Sequence, residues 1–581
     1  MRARRMVLLT VLVALFLLPL VFAAETPVPA DETPESLRAK VLALARQAKL
    51  TDEVIELFKQ YSLALAKERL AKAVAADFWP WLAQSKEMQE GLVLGLYPGY
   101  DSKVVAQLDT LRKRFGAGVD SHPALALAFA FDWAHKRADG MCCGSLPAHL
   151  RKDRKFTTME ESFAYYLKFE NAMKYSLKST PWQLLVHVAD NEVPIWERLW
   201  VLSMYGEFGF NRFRGMYYKP PYDFDMLRGQ PKMGSLPWTL ANIEKIGGVC
   251  VERAYFASRV FKCLGVPSFM DSGEGARGGH AWVAYAAPHL GRLELLYAGR
   301  FDFDKYYVGT TFCPCSAKEL LDRETELLVA ACSHSPRGYN DACVACHIYG
   351  LFPKEERVKT VGLLEQAIER NPYCALVWRS IATACVDGTL EAEKGEKLYD
   401  LMLAGFQDYP DLTFEVLCTI LGPRLKAEAA VPDPVVSGNM NVLEKAFQLY
   451  EKAQRPDLGA KLCSVKGKYL EDLGRKDDAL LFYMRTSEAY ASEHYGFVAL
   501  FKRALALLEG PENQSKRLKY IDIIAAKVPE YQTAWNRRYH ERNPSFVYVL
   551  QVCVKELRNC GQNDKADDIE ARYFGKKKPA S

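Results

Sequence analysis

The stretch Gly247 to Phe256, GGVCVERAYF, decides how the chain is read, because it opens a helix with a thiol in the first turn. Val251, Ala254, Ala257, Phe261 and Leu264 fall on one face at helical spacing. Gly265 supplies a C-terminal cap, and Val266-Pro267 bars continuation. The two glycines before Cys250 let the backbone turn sharply into the helix. Unpaired N–H groups at a helix start favour a thiolate, and the N–H of Cys250 is suited to face a developing oxyanion.

Outward from this helix, PSFM (267–270) is expected as a short strand, DSGEGARGG (271–279) as a Gly-rich loop, and HAWVAYAA (280–287) as a half-buried strand. PHLGR turns the chain and LELLYAGRF returns it, giving a helix followed by an antiparallel hairpin. His280 stands at the start of the strand such a helix packs against, where a thiol needs its base. The imidazole in turn needs an acceptor to hold its tautomer. With the turn centred near His289-Leu290, one-for-one pairing sets Gly299-Arg300 opposite His280. Asp302 and Asp304 are the nearest carboxylates, placed on one face by the strand period of two, and Asp302 is the nearer. If LLYAG is the third strand instead, Tyr297 takes the acid's place. Trp282 reads as hairpin core, and Glu274 as a solvated or rim residue.

Together, Gly247 to Cys250, Gly279-His280-Ala281-Trp282-Val283 and a following strand ending in Asp resemble the transglutaminase-like superfamily over about residues 191–315. The resemblance implies a papain-like fold with Cys, His and Asp in this chain order: Cys250 as nucleophile, His280 as base, Asp302 as orienting acid. It also implies acyl transfer or hydrolysis at protein or peptide amides. Cys250 attacks the amide, His280 protonates the leaving amine, and water or another amine resolves the thioester. Two positions depart from the family pattern. Val251 follows Cys250 where many relatives carry Arg or Lys, and FDFDKY replaces a sharp Asp-Pro-Thr. The superfamily also holds domains with no established activity, so the alternative is a silent domain within a protein-binding scaffold.

The rest of the 581 residues frames this core. MRARRMVLLTVLVALFLLPLVFAA (1–24) has the basic start, apolar run and small-residue end of a secretory signal peptide, with an uncleaved anchor as the alternative. The working domains are therefore expected outside the cytoplasm, periplasmic or extracellular, with no other membrane segment. Residues 25–190 are expected as a helical N-terminal domain, 191–316 as the transglutaminase-like domain, and 317–581 as a tetratricopeptide-like helical repeat region able to hold a protein partner. A plain helical bundle is the alternative for the last. The fold class is thus α+β, mostly helical, with a papain-like core between helical regions.

Lys and Arg number 76 against 71 Asp and Glu, a formal charge of +5 that falls to +2 without Arg2, Arg4 and Arg5; nucleic acid is not an expected partner. No calcium-type loop is apparent, and neither metal nor cofactor is expected. Fifteen cysteines in an exported chain invite pairing, with Cys142-Cys143, Cys313 with Cys315, and Cys553 with Cys560 as candidates. Cys263, Cys374, Cys385, Cys418 and Cys463 fall within apolar helical patterns and read as packing residues. Cys343, Cys346 and His347 match the C-x-x-C-H of c-type haem attachment, or else one more helix of the repeats.

Overall fold

The computed structural model describes residues 32–135, 147–151, 156–275, 278–302, 304–429, 438–494, 496–529 and 544–574. The apolar N-terminal run and Cys142-Cys143 lie outside them. The described chain is α+β and mostly helical, with one five-stranded antiparallel sheet. Among the described residues no helix is long and apolar enough to cross a membrane.

Helices α1 (Pro34–Ala45) and α2 (Asp52–Leu70) start at threonine caps, Thr33 and Thr51, whose hydroxyls accept the N–H of Ser36 and Val54. Their apolar faces, with Val41, Val54 and Phe58, share a core with Trp378, Tyr399 and Tyr450 of the C-terminal region. The first two helices of the expected N-terminal domain therefore pack with the C-terminal helices. A separate core around Leu108, Phe129 and Phe163 gathers the helices that follow.

The central unit is built from α3 (Trp182–Ala189), α4 (Cys250–Cys263) and the strands β1 (Ser268–Gly275), β2 (Gly278–His289), β3 (Arg292–Ala298), β4 (Thr310–Phe312) and β5 (Glu319–Leu321), in sheet order β3-β2-β1-β4-β5. Helix α4 ends as its sequence requires: Gly265 takes φ +73°, and the bonds Gly265 N–H to Lys262 and Val266 N–H to Phe261 close a Schellman cap. Ala254, Ala257 and Phe261 of α4 pack on Ala281, Val283 and Tyr285 of β2. On the opposite face, Ala284, Ala286 and Leu295 meet Leu184 of α3 and Val329 and Cys332 of α5 (Asp322–His334). Both faces of β2 are thus covered, and the alternation in HAWVAYAA distributes side chains between two buried layers rather than between core and water.

Three local expectations are corrected. β1 runs on through Asp271-Ser272-Gly273-Glu274-Gly275, pairing residue for residue with β2 up to Gly275 opposite Gly278, so most of the expected Gly-rich loop is strand. The β2–β3 turn is Leu290-Gly291, with φ of +47° and +81° and His289 opposite Arg292, one position later than expected. β3 stops at Ala298 because Gly299 takes φ +89° where an added Cβ would lie 2.4 Å from the Tyr217 ring. Asp302 and Asp304 consequently lie beyond the strand and do not share a strand face.

The C-terminal region continues in helices. α6 (Pro336–Leu351) and α7 (Ala375–Val386) precede α8 (Pro456–Asp472) and α9 (Lys476–Ala489), the last two joined by a tight turn. Gly474 makes the turn at φ +74°, and Gly467 lets the Tyr483 ring approach to 2.2 Å of where a Cβ would sit.

Candidate active site

Cys250 is the first residue of α4, following Val249 as N-cap. Gly247 and Gly248 are needed for close approach: a Cβ on Gly247 would lie 2.2 Å from the Pro221 carbonyl, and one on Gly248 2.3 Å from Glu252. Gly248 N–H donates to Pro221 O and Gly248 O accepts Asp223 N–H, which ties the helix start to the preceding loop. Buried Glu252 accepts the Val249 N–H at 2.8 Å through Oε2 and meets His149 Nε2 at 2.8 Å through Oε1.

Cys250 packs against the core formed by α4 and β2, and the backbone groups of Ala281, the residue after His280, of Val251 and of Cys250 itself act to lower its thiol. Burial nevertheless pushes the thiol up to about 11, aided by the Glu252 charge, so those groups do not offset the loss of water. His280 Nε2 lies 2.7 Å from the Gly299 carbonyl. A carbonyl only accepts, so Nε2 carries the proton and Nδ1 is the lone-pair nitrogen. Burial lowers the imidazole's pKa, while the Gly299 carbonyl and the Asp302 charge act the other way. Among the described residues no hydrogen bond joins the Cys250 and His280 side chains.

Asp302 is exposed, and its Oδ1 accepts the Tyr218 hydroxyl at 2.8 Å. The same hydroxyl accepts the Gly299 N–H at 3.2 Å. Asp302, Tyr218, the Gly299 peptide and His280 therefore form one connected chain. Asp304 turns elsewhere: its Oδ2 would crowd a Cβ on Gly275, and its charge acts on His494. Tyr297 is half-buried on the α5 side beside Arg300, 4.5 Å from guanidinium carbon to ring centre. Trp282 is buried on the same strand as His280, and Glu274 is exposed.

Residues that sequence reasoning did not reach complete the setting. The Tyr217 hydroxyl donates to Ala281 O at 2.9 Å, and Arg253 Nε donates to Tyr217 O at 2.9 Å while its guanidinium lies over the rings of Tyr217 and Tyr218. Arg300, fully buried, donates to the carbonyls of Tyr306 and Tyr307 and pairs with Asp322 at 2.5 Å, pinning the loop that follows Gly299. Asp271 is buried alongside, and burial together with Asp322 holds its carboxyl well above the usual range. A run of tyrosines before GGVC, RGMYYKPPY, was the visible trace of the Tyr217–Tyr218 contribution.

The cysteines of the repeat motif are taken up by packing. Cys343, Cys346 and His347 lie on α6; Cys346 is buried, the Cys343 sulfur is 3.8 Å from that of Cys374, and the His347 ring stacks on Phe58 and lies tilted against Tyr97. The helix reading of this stretch accounts for all three side chains, and such packing does not suit covalent attachment of a porphyrin.

No family model, curated protein or solved structure matches the chain.

Proposed function

We propose that the chain is a thiol-dependent acyl transferase or amide hydrolase of transglutaminase-like, papain-like type, acting on protein or peptide amides, with Cys250 as nucleophile and His280 as base. The observation that carries this reading is the packing of α4, which opens on Cys250, against β2, the strand that carries His280. Nucleophile and base thus stand on two elements packed against each other. The Nε2–Gly299 bond fixes the tautomer that leaves Nδ1 to take a proton.

Because the resting thiol is protonated, proton removal accompanies attack. Nδ1 accepts the thiol proton as sulfur bonds to the amide carbon, and the carbonyl oxygen takes the electron pair. The Cys250 N–H, at a helix start, is placed to stabilise that oxygen. The protonated imidazole then gives its proton to the leaving amine, and water or a second amine opens the thioester. Asp302 favours the imidazolium by its charge and steadies its support through Tyr218.

The test is labelling of the full-length protein by a peptidyl acyloxymethyl ketone, a probe whose capture needs the base, with sites read by peptide mapping. Cys250 is expected to label at least about 100-fold faster in the native chain than in His280→Ala. Absence of label at Cys250, or equal labelling in His280→Ala, overturns the reading.

A second reading, a silent domain in a protein-binding scaffold, is favoured by the raised thiol and by the absence of a direct Cys250–His280 hydrogen bond among the described residues. It predicts the second outcome.

A further inference from the structure

The β4–β5 hairpin carries a second cysteine chemistry at its tip. Phe312 pairs with Glu319, and Cys313 N–H donates to Lys318 O at 2.9 Å, so Cys313-Pro314-Cys315-Ser316-Ala317-Lys318 is the closing loop. Inside it the Cys313 carbonyl accepts the N–H of Ala317 at 2.8 Å and of Ser316 at 3.3 Å, and Ala317 takes φ +54°. This tight turn holds Cys313 and Cys315 in one short loop, with only Pro314 between them. Both cysteines are partly exposed thiols, and Cys315 also packs against the N-terminal helical core, which anchors one of the two.

A metal would need further ligands, and among the described residues no group of three or more His, Cys, Asp or Glu side chains has that arrangement. Two partly exposed thiols one residue apart in a tight turn are instead the parts of a dithiol couple. We propose that Cys313 and Cys315 are a redox-active pair that exchanges with disulfides of peptides or proteins, Cys313 attacking and Cys315 resolving.

The Cys313 thiolate attacks one sulfur of the disulfide; a mixed disulfide forms, the old S–S bond breaks, and the first thiolate leaves with the electron pair and takes a proton from water. Cys315 loses its proton and attacks the Cys313 sulfur, expelling the second thiolate, which is protonated in turn. The pair is oxidised by two electrons to a Cys313–Cys315 disulfide, and the substrate is reduced to two thiols. The donors around Cys313 lower its thiol to about 6, which suits an attacking group.

The test uses reduced full-length protein with oxidised glutathione at pH 6, acid quench, alkylation and tryptic mapping. The peptide between Lys305 and Lys318 contains these two cysteines and no others. The native chain should yield this peptide two hydrogens lighter. Cys315→Ser should stop at a glutathione adduct on Cys313, and Cys313→Ser should react at Cys315 at least about ten-fold more slowly. Ser316→Ala, which keeps both thiols and disturbs the loop least, should slow the first step. The proposal is overturned if Cys315→Ser gains no adduct at Cys313, or if the native loop stays reduced while other exposed thiols react.

Discussion

Cys250 and Cys313 are both met by backbone N–H groups at a change of chain direction, yet their thiols are driven apart, one up to about 11 and the other down to about 6. The donors at Cys250 come from a helix start and a strand; those at Cys313 come from a four-residue turn that adds a hydroxyl and a second thiol. Burial dominates at the first, and hydrogen bonds dominate at the second. A helix N-terminus therefore does not by itself make a reactive cysteine. On the readings proposed above the two sites divide labour: Cys250 waits for a base and a bound acyl group, whereas Cys313 exchanges without one.

The sharpest way to break that comparison is a pH profile of iodoacetamide labelling at each position in one sample. At pH 7 the thiolate fractions differ by about four orders of magnitude; the lower intrinsic nucleophilicity of the more acidic thiol trims the rate advantage of Cys313 to roughly fifty-fold. Cys313 labelling should level off above about pH 6 to 7, while Cys250 labelling should still be rising at pH 10. Coincident profiles would erase the contrast.

If burial decides at Cys250, it should also decide at Asp271, where neither carboxylate oxygen meets the hydrogen-bond geometry of a partner among the described residues. Its surroundings are burial and the Asp322 charge, which raise it, against Arg300 and the Trp282 indole, which lower it, with Glu326 a further raising charge. The folded-state value lies above the unfolded one of 3.8, so the folded chain holds the extra proton and stability falls as pH climbs through that window. Asp271→Asn removes the titration. Thermal melts should show the variant more stable than the native chain at pH 8, by about 1–3 kcal/mol, with the gap closing toward pH 4. A pH-independent loss of stability would refute this assignment.

The contrast also explains what the sequence could and could not disclose. Helix α4 was legible because its marks are local: apolar spacing, Gly265 and Pro267. The β2–β3 hairpin was legible in outline, but Leu290 in a left-handed conformation moved the turn by one position, and leucine gives no warning of that. GEG was read as loop because glycine's local preference was weighed without β2, whose pairing decides. Most instructive is the acceptor for His280. Every residue carries a carbonyl, so no side-chain pattern announces that Gly299 uses its own; only its glycine, required against Tyr217, hinted at a close approach. The Arg300–Asp322–Asp271 cluster is assembled from strand, loop and helix, and spacing alone does not connect them.

The smallest predicted effect tests the link from Asp302 to His280. Tyr218→Phe removes the hydroxyl that receives Gly299 N–H and donates to Asp302, leaving the Gly299 carbonyl less firmly held. Both side chains are exposed, so stability should fall by no more than about 1 kcal/mol. Labelling of Cys250 by the acyloxymethyl ketone should slow roughly three-fold, while glutathione exchange at Cys313 is unchanged. Asp302→Asn should cost about as much, and the double variant little more than either single one, because both act through one chain of bonds. Losing the Asp302 charge removes an influence that raises the His280 pKa, so the acid limb of the labelling profile should move to lower pH. If Asp302→Asn instead matches His280→Ala, the carboxylate bonds the imidazole directly in the working state and Tyr218 is a bystander.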